Sequence, residues 1–87
     1  MTKLEEKLIE LGYVKNRQMS YEYETYYFRN FDSFINLYIN VEVDGYITHS
    51  YVQAFDTFAY QEQIDNLQQA FNQLQKDLEV LKEYDNK

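Results

Sequence analysis

The chemistry open to this chain is narrow, because it holds one histidine, His49, and no cysteine. A nucleophile activated on a Ser-His or Cys-His plan has His49 as its one candidate base, and no serine sits at a recognisable strained turn. A metal site would have to join His49 to Asp44, Asp56 or Glu42, at spacings that match no ligand pattern. His49 therefore reads as a solvated or hydrogen-bonded strand histidine. Carboxylates pair at Glu5-Glu6, Glu22/Glu24 and Glu42/Asp44, but acid-base work needs a concave site that drives two pKa values apart. A miniature sheet does not readily enclose one, so these pairs read as solvated acidic edges. Gly12 and Gly45 are the only glycines, so no Gly-rich loop can cradle a phosphate. The expectation is a protein that is not an enzyme, with no catalytic residue, no cofactor and no metal.

At 87 residues one domain spanning 1–87 is expected. Chains of this size bury only roughly 60 to 65% of their unfolded surface, and many rely on a staple or an oligomer. With no cysteine, neither a disulfide nor a thiolate metal site supplies it. Ten Tyr and six Phe within a 45% apolar composition are too many for a disordered chain, so it should fold. No apolar run is long enough to cross a membrane, and the start, Met-Thr-Lys-Leu-Glu-Glu, is not that of a secretory signal. A cytoplasmic location and no membrane partner follow as expectations. Net charge −7 repels phosphate backbones, which disfavours direct nucleic-acid binding and favours proteins with basic grooves.

The elements that must position these residues form an α+β arrangement: a short N-terminal helix, a three-stranded antiparallel sheet and a long amphipathic C-terminal helix, αβββα. Thr2-Lys3-Leu4-Glu5 is a capping-box pattern, Leu4, Leu8 and Leu11 share a face, and Gly12 suits a left-handed cap. A helix over 3–11 is predicted, followed by a connection over 13–20. Strands are predicted at about 21–29, 34–43 and 46–52. The first carries aromatics on both faces, Tyr21, Tyr23 and Tyr27 against Tyr26 and Phe28, so its inward face stays open, although Glu22 and Glu24 favour the second set facing partly outward at that end. Asn30-Phe31-Asp32-Ser33 reads as a turn. In the second, Ile35, Leu37, Ile39, Val41 and Val43 point one way, and Phe34, Asn36, Tyr38, Asn40 and Glu42 the other. Asp44-Gly45 signals a two-residue type I′ hairpin, pairing Val43 with Tyr46, Val41 with Thr48, Ile39 with Ser50 and Leu37 with Val52 on the buried side, and Glu42 with Ile47, Asn40 with His49 and Tyr38 with Tyr51 on the other.

The C-terminal helix is predicted over about 58–84. Tyr60, Ile64, Leu67, Phe71, Leu74, Leu78 and Leu81 alternate spacings of four and three, a heptad seam with Ile64, Phe71 and Leu78 at a and Leu67, Leu74 and Leu81 at d. About 25 residues would reach roughly 37 Å, beyond strands of about 20 to 30 Å. Either the last turns fray, or the seam beyond the sheet is covered by Leu4, Leu8 and Leu11, or it pairs with a second copy through its far end at Leu74, Leu78 and Leu81. A homodimer is the corresponding partner expectation.

Helix, three antiparallel strands, helix is also the order of double-stranded RNA-binding domains, whose phosphate contacts need a basic start to the last helix. Here Phe58-Ala59-Tyr60-Gln61-Glu62-Gln63-Ile64-Asp65 has two acids and no Lys or Arg, which argues against that function. The lack of Pro and Cys, the wealth of Tyr, Asn, Gln, Ile, Lys and Phe, and the small acidic frame resemble accessory proteins of temperate phages from low-GC bacteria. The segment Thr48-His49-Ser50-Tyr51-Val52-Gln53-Ala54-Phe55-Asp56-Thr57-Phe58-Ala59-Tyr60, running into Gln-rich heptads, resembles hypothetical phage proteins. In style the chain is similar to small acidic anti-CRISPR proteins that join a short three-stranded sheet to helices, some of which occupy the DNA-binding groove of their nuclease. That resemblance implies an inhibitor of a host nucleic-acid-handling or defence protein, with a Cas nuclease as the concrete case. Candidate contacts are Tyr38, Tyr51 and His49, rimmed by Glu22, Glu24, Glu42 and Asp44, because aromatic anchors with a charged rim suit interfaces. The alternative is a homo-oligomeric structural or assembly protein built through the heptad helix over 60–84.

Overall fold

Thr2 opens the first helix by the predicted capping box: its hydroxyl accepts from the Glu5 N–H at 3.2 Å, and its own N–H donates to Glu5 Oε1 at 3.3 Å. In the computed structural model, which describes residues 2–18, 20–54 and 61–85, this helix is α1 (Lys3–Glu10). It ends in a Schellman motif. Gly12, at φ 98°, donates to the Ile9 carbonyl, and Tyr13 donates to that of Leu8. That turn leads Tyr13 straight into β1 (Val14–Asn16), a three-residue strand inside the predicted connection.

Three longer strands follow, β2 (Glu24–Asp32), β3 (Ile35–Glu42) and β4 (Ile47–Ala54), and all four pair antiparallel in the order β1-β2-β3-β4. The sheet is thus four-stranded where three strands were expected. Asn30 to Asp32 belong to β2 rather than to a turn, which falls at Ser33-Phe34, where Asp32 Oδ1 accepts from the Phe34 N–H at 2.8 Å. Tyr21 and Tyr23 precede β2 and are exposed.

The β3–β4 register matches expectation away from the turn and differs at it. Leu37 pairs with Val52, Tyr38 with Tyr51, Ile39 with Ser50 and Asn40 with His49, but Val41 pairs with Ile47. Of Asp44 and Gly45, Gly45 alone has positive φ, 89°, whereas a type I′ turn requires it at both. The loop instead has three residues: the Gly45 N–H donates to the Glu42 carbonyl, and the Glu42 N–H to that of Tyr46. A bulge at Thr48 restores the register. Val43, expected to face inward, lies in this loop and is 63% exposed.

Both helices cover one face of the sheet. Leu4 and Leu8 of α1 share a core with Tyr13, Tyr27, Ile35, Leu37, Ile39 and Val41, and with Ala70, Leu74 and Leu81 of α2 (Gln61–Leu81). At 21 residues α2 is about 31 Å long, close to the span of the nine-residue β2, so its described length does not outreach the sheet. Tyr60 and the predicted start at 58 lie outside the described residues, and 82–84 form a turn.

The heptad seam divides between two surroundings. The buried stripe runs Ala70, Leu74, Asp77, Leu81, along the d line and its g neighbours, while Ile64 and Phe71 of the a line are 50% and 52% exposed. Leu74 and Leu81 are therefore core residues, and Leu78 is partly buried against them. Offering the first two to a second copy would mean opening the core, which corrects their expected role.

Asp77 is 2% exposed and anchors a polar cluster within this core. It accepts from the Tyr13 hydroxyl at 2.8 Å, from Arg29 Nη1 at 2.9 and 3.2 Å, and from Gln73 Nε2 at 3.0 Å. The Tyr27 hydroxyl likewise donates to Glu5 Oε2 at 2.8 Å. Burial pushes the Glu5 carboxyl up, but hydrogen bonds from Tyr27 and Thr2 outweigh it and leave the group below the ordinary carboxylate range.

Burial, and then the facing carboxylates of Asp77 and Glu5, push the Tyr13 and Tyr27 phenols well above the usual value. A raised phenol stabilises the fold fully below its unfolded pKa near 10. That stability is lost as pH rises, because the unfolded chain releases a proton that the folded chain keeps. Each group should remove about 1.4 kcal/mol per pH unit above about pH 10. Urea midpoints between about pH 9 and pH 11.5 should fall steeply for the unaltered chain and less steeply for Tyr27→Phe.

Candidate functional site

The face of the sheet away from the helices is built from alternate residues of three strands, set side by side by their registers. Phe28, Tyr38 and Tyr51 form one row, Tyr26, Asn40 and His49 a second, and Asn30, Asn36 and Gln53 a third. Tyr38 and Tyr51 stack with ring centroids 5.0 Å apart at 8°, and Phe28 lies 6.1 Å from Tyr38 on its other side. Tyr21 meets Tyr26 edge-on at 5.7 Å. Tyrosine rings supply large contact area at low rotamer cost, with a hydroxyl that can still hydrogen-bond.

Carboxylates stand at one end of these rows, where Glu24 and Glu42 are cross-strand partners. The Thr48 bulge places neighbouring Thr48 and His49 where both reach Glu24: the Thr48 hydroxyl donates to Glu24 Oε1 at 2.7 Å, and His49 Nδ1 lies 3.6 Å from the same oxygen. The imidazole is largely exposed, so even when protonated the pair contributes little. Burial first, and then Tyr21 and the charge of Glu24, raise the Tyr26 phenol. Burial, Tyr38 and Glu24 raise that of Tyr51. Both phenols therefore remain neutral donors near neutral pH. In the row of Tyr26 and His49, Asn40 is buried, and its Oδ1 accepts no hydrogen bond among the described residues.

Five of the residues singled out in the sequence thus come together: Tyr38, Tyr51, His49, Glu24 and Glu42. Tyr38 is only 5% exposed, so it supports the surface between its neighbours rather than projecting from it. Glu22 is exposed just before β2. Asp44 lies in the β3–β4 loop and lines a different feature, a depression of about 270 Å³ shared with Lys3, Glu83 and Tyr84. Tyr26 and Phe28 belong to the surface and were not among the candidate contacts, because the inward face of β2 was open in the sequence; Asn40, in phase with Tyr38, was expected on this face but not as a contact. The acidic phase of Glu22 and Glu24 favours the Tyr26 and Phe28 set facing partly outward, and it does face out.

No hydroxyl hydrogen-bonds to His49 among the described residues, and no group of three or more His, Cys, Asp or Glu gathers among them. No described helix is long and apolar enough to cross a membrane. The chain matches no protein-family model, no curated protein and no solved structure.

Proposed function

We propose that this chain is a non-enzymatic, protein-binding inhibitor that applies its open sheet face to a basic surface of its target. The target in this reading is a nucleic-acid-handling or defence protein of a bacterial host, met in the host cytoplasm by a phage-encoded chain, and a Cas nuclease is its most concrete form. The supporting observation is the sheet face on which the Phe28-Tyr38-Tyr51 row is followed by the Tyr26-Asn40-His49 row and then by Glu24 and Glu42, uncovered by either helix. Aromatic anchors supply most of the binding energy of such interfaces. The acidic end would steer a basic partner, with an on-rate that falls as salt rises.

Affinity capture from host lysate tests this with paired baits, the unaltered chain and Tyr26→Ser/Tyr51→Ser, each at low and high salt. One protein should be retained by the first bait and lost from the second, with binding weakened roughly 700-fold, as expected when two anchors each worth about 2 kcal/mol are removed. Equal retention by both baits, or no retention at any salt concentration, counts against it.

A further inference from the structure

The two edges of the sheet differ in how they are guarded. β1 is three residues long and carries Lys15, and short length and lysine are both devices that discourage edge pairing. β4 has eight residues, Ile47-Thr48-His49-Ser50-Tyr51-Val52-Gln53-Ala54, without Asp, Glu, Lys, Arg or Pro. No described strand pairs with its outer side, and the bulge at Thr48 interrupts only its first turnward residues. In an antiparallel ladder, alternate residues turn their N–H and C=O groups to that open side. Near the start of β4 the Ile47 N–H is already occupied, donating to Asp85 Oδ1 at 3.0 Å.

The helix above leaves a second free surface on the same side. Asp77 and Gln73 lie on the flank of α2 that reaches Tyr13 and Arg29, on the β1–β2 side of the sheet. The opposite flank carries Ile64, Phe71 and Leu78, seven residues apart, and so lies toward β4. Between that flank and the edge, Ser50 is exposed although it pairs with the buried Ile39. Gln68 and Gln75 border the flank, so in a chain of net charge −7 it presents almost no charge.

We infer that this combined surface, the β4 edge with the Ile64-Phe71 flank of α2, is the docking site for a second copy of the chain. Antiparallel pairing of β4 with its copy about a two-fold axis would continue the sheet and set no carboxylates opposite one another, since β4 contains none. Distances agree. Among the strands α2 packs on β3 and β4, so a helix seated between them stands about 5 Å from the axis of a sheet with about 4.8 Å between strands. The two copies of α2 would then lie about 10 Å apart, at the upper end of ordinary helix packing distances of 8 to 10 Å. One partner thereby covers both free surfaces at once, and the dimer does not depend on what the open sheet face binds.

Sedimentation of the full chain should show a species of twice the 10.6 kDa chain mass as concentration rises toward millimolar. Phe71→Glu on the flank and Ser50→Lys beside the edge should each weaken association by roughly a hundredfold with circular dichroism unchanged, as expected for an unpaired charge placed in an apolar contact. In the unaltered chain, hydrogen exchange at β4 amides should slow as concentration rises. A strict monomer overturns the inference. So does a dimer indifferent to Ser50→Lys with unprotected β4 amides, which would be pairing by helices alone.

Discussion

Arg29→Leu should destabilise the fold by about 3 kcal/mol, because it leaves the Asp77 carboxylate buried without its cation. The Asp77 side chain is 3% exposed, so little water can replace the guanidinium, and Tyr13 and Gln73 supply only neutral donors. The Arg29 side chain is 31% exposed, which places the expected cost at the lower end of the range for breaking a buried pair. Asp77→Ala should cost a similar amount, leaving the Tyr13 hydroxyl buried without its acceptor. The informative variant is the triple change Tyr13→Phe/Arg29→Leu/Asp77→Leu. It removes every charged or hydroxyl member together and should recover to within about 2 kcal/mol of the unaltered chain, because apolar packing replaces desolvated charge at little net loss. Urea denaturation of the four proteins measures all these differences. Losses that simply add in the triple variant would show that the groups act separately rather than as a unit.

This cluster also explains why half of the architecture was hard to read. β3 was legible because its inward residues, Ile35, Leu37, Ile39 and Val41, alternate strictly with polar or aromatic ones. β2 was not, since the phase that contains inward-facing Tyr27 also contains Arg29, and an arginine in sequence looks like a solvent residue. Asp77, 48 positions away, neutralises it. The same pairing hid the true buried stripe of α2: with Asp77 assigned to solvent, the leucines defined an a/d seam instead of the observed stripe Ala70, Leu74, Asp77, Leu81. β1 was missed for another reason. Three residues cannot display a period, and their position is set by the Schellman turn at Gly12 together with pairing to Tyr26, Tyr27 and Phe28.

The candidate surface was partly visible for related reasons. Tyr38, Tyr51 and His49 follow from the β3 alternation and the hairpin, and their cross-strand partners were predicted correctly because the register beyond the turn does not depend on turn type. The turn itself was misread. An Asp-Gly pair suits a type I′ loop, but it suits equally a three-residue loop in which glycine alone takes positive φ. The Thr48 bulge then cancels the resulting slip within two residues. That bulge is also what sets Thr48 against Glu24, a contact that no periodic pattern could have anticipated.

Leu74→Glu and Phe71→Glu, three residues apart on one helix, should behave as different experiments. A heptad reading makes both seam residues and predicts loss of self-association for each. In the fold Leu74 is 1% exposed among core side chains, so a carboxylate there has neither water nor a cation. The cost, about 4 kcal/mol or more, is comparable with the whole stability of a chain this small, and Leu74→Glu should be largely unfolded at ordinary temperature. Leu74→Ala, which only opens a cavity, should fold but lose about 3 kcal/mol. Phe71 is half exposed, so Phe71→Glu should change monomer stability by no more than about 1 kcal/mol while placing charge on the helix flank beside β4. Thermal melts followed by circular dichroism at low concentration separate the three variants. A folded Leu74→Glu monomer would contradict the placement of this helix on the sheet, and with it the division of the seam into a covered d line and an a line exposed at Ile64 and Phe71.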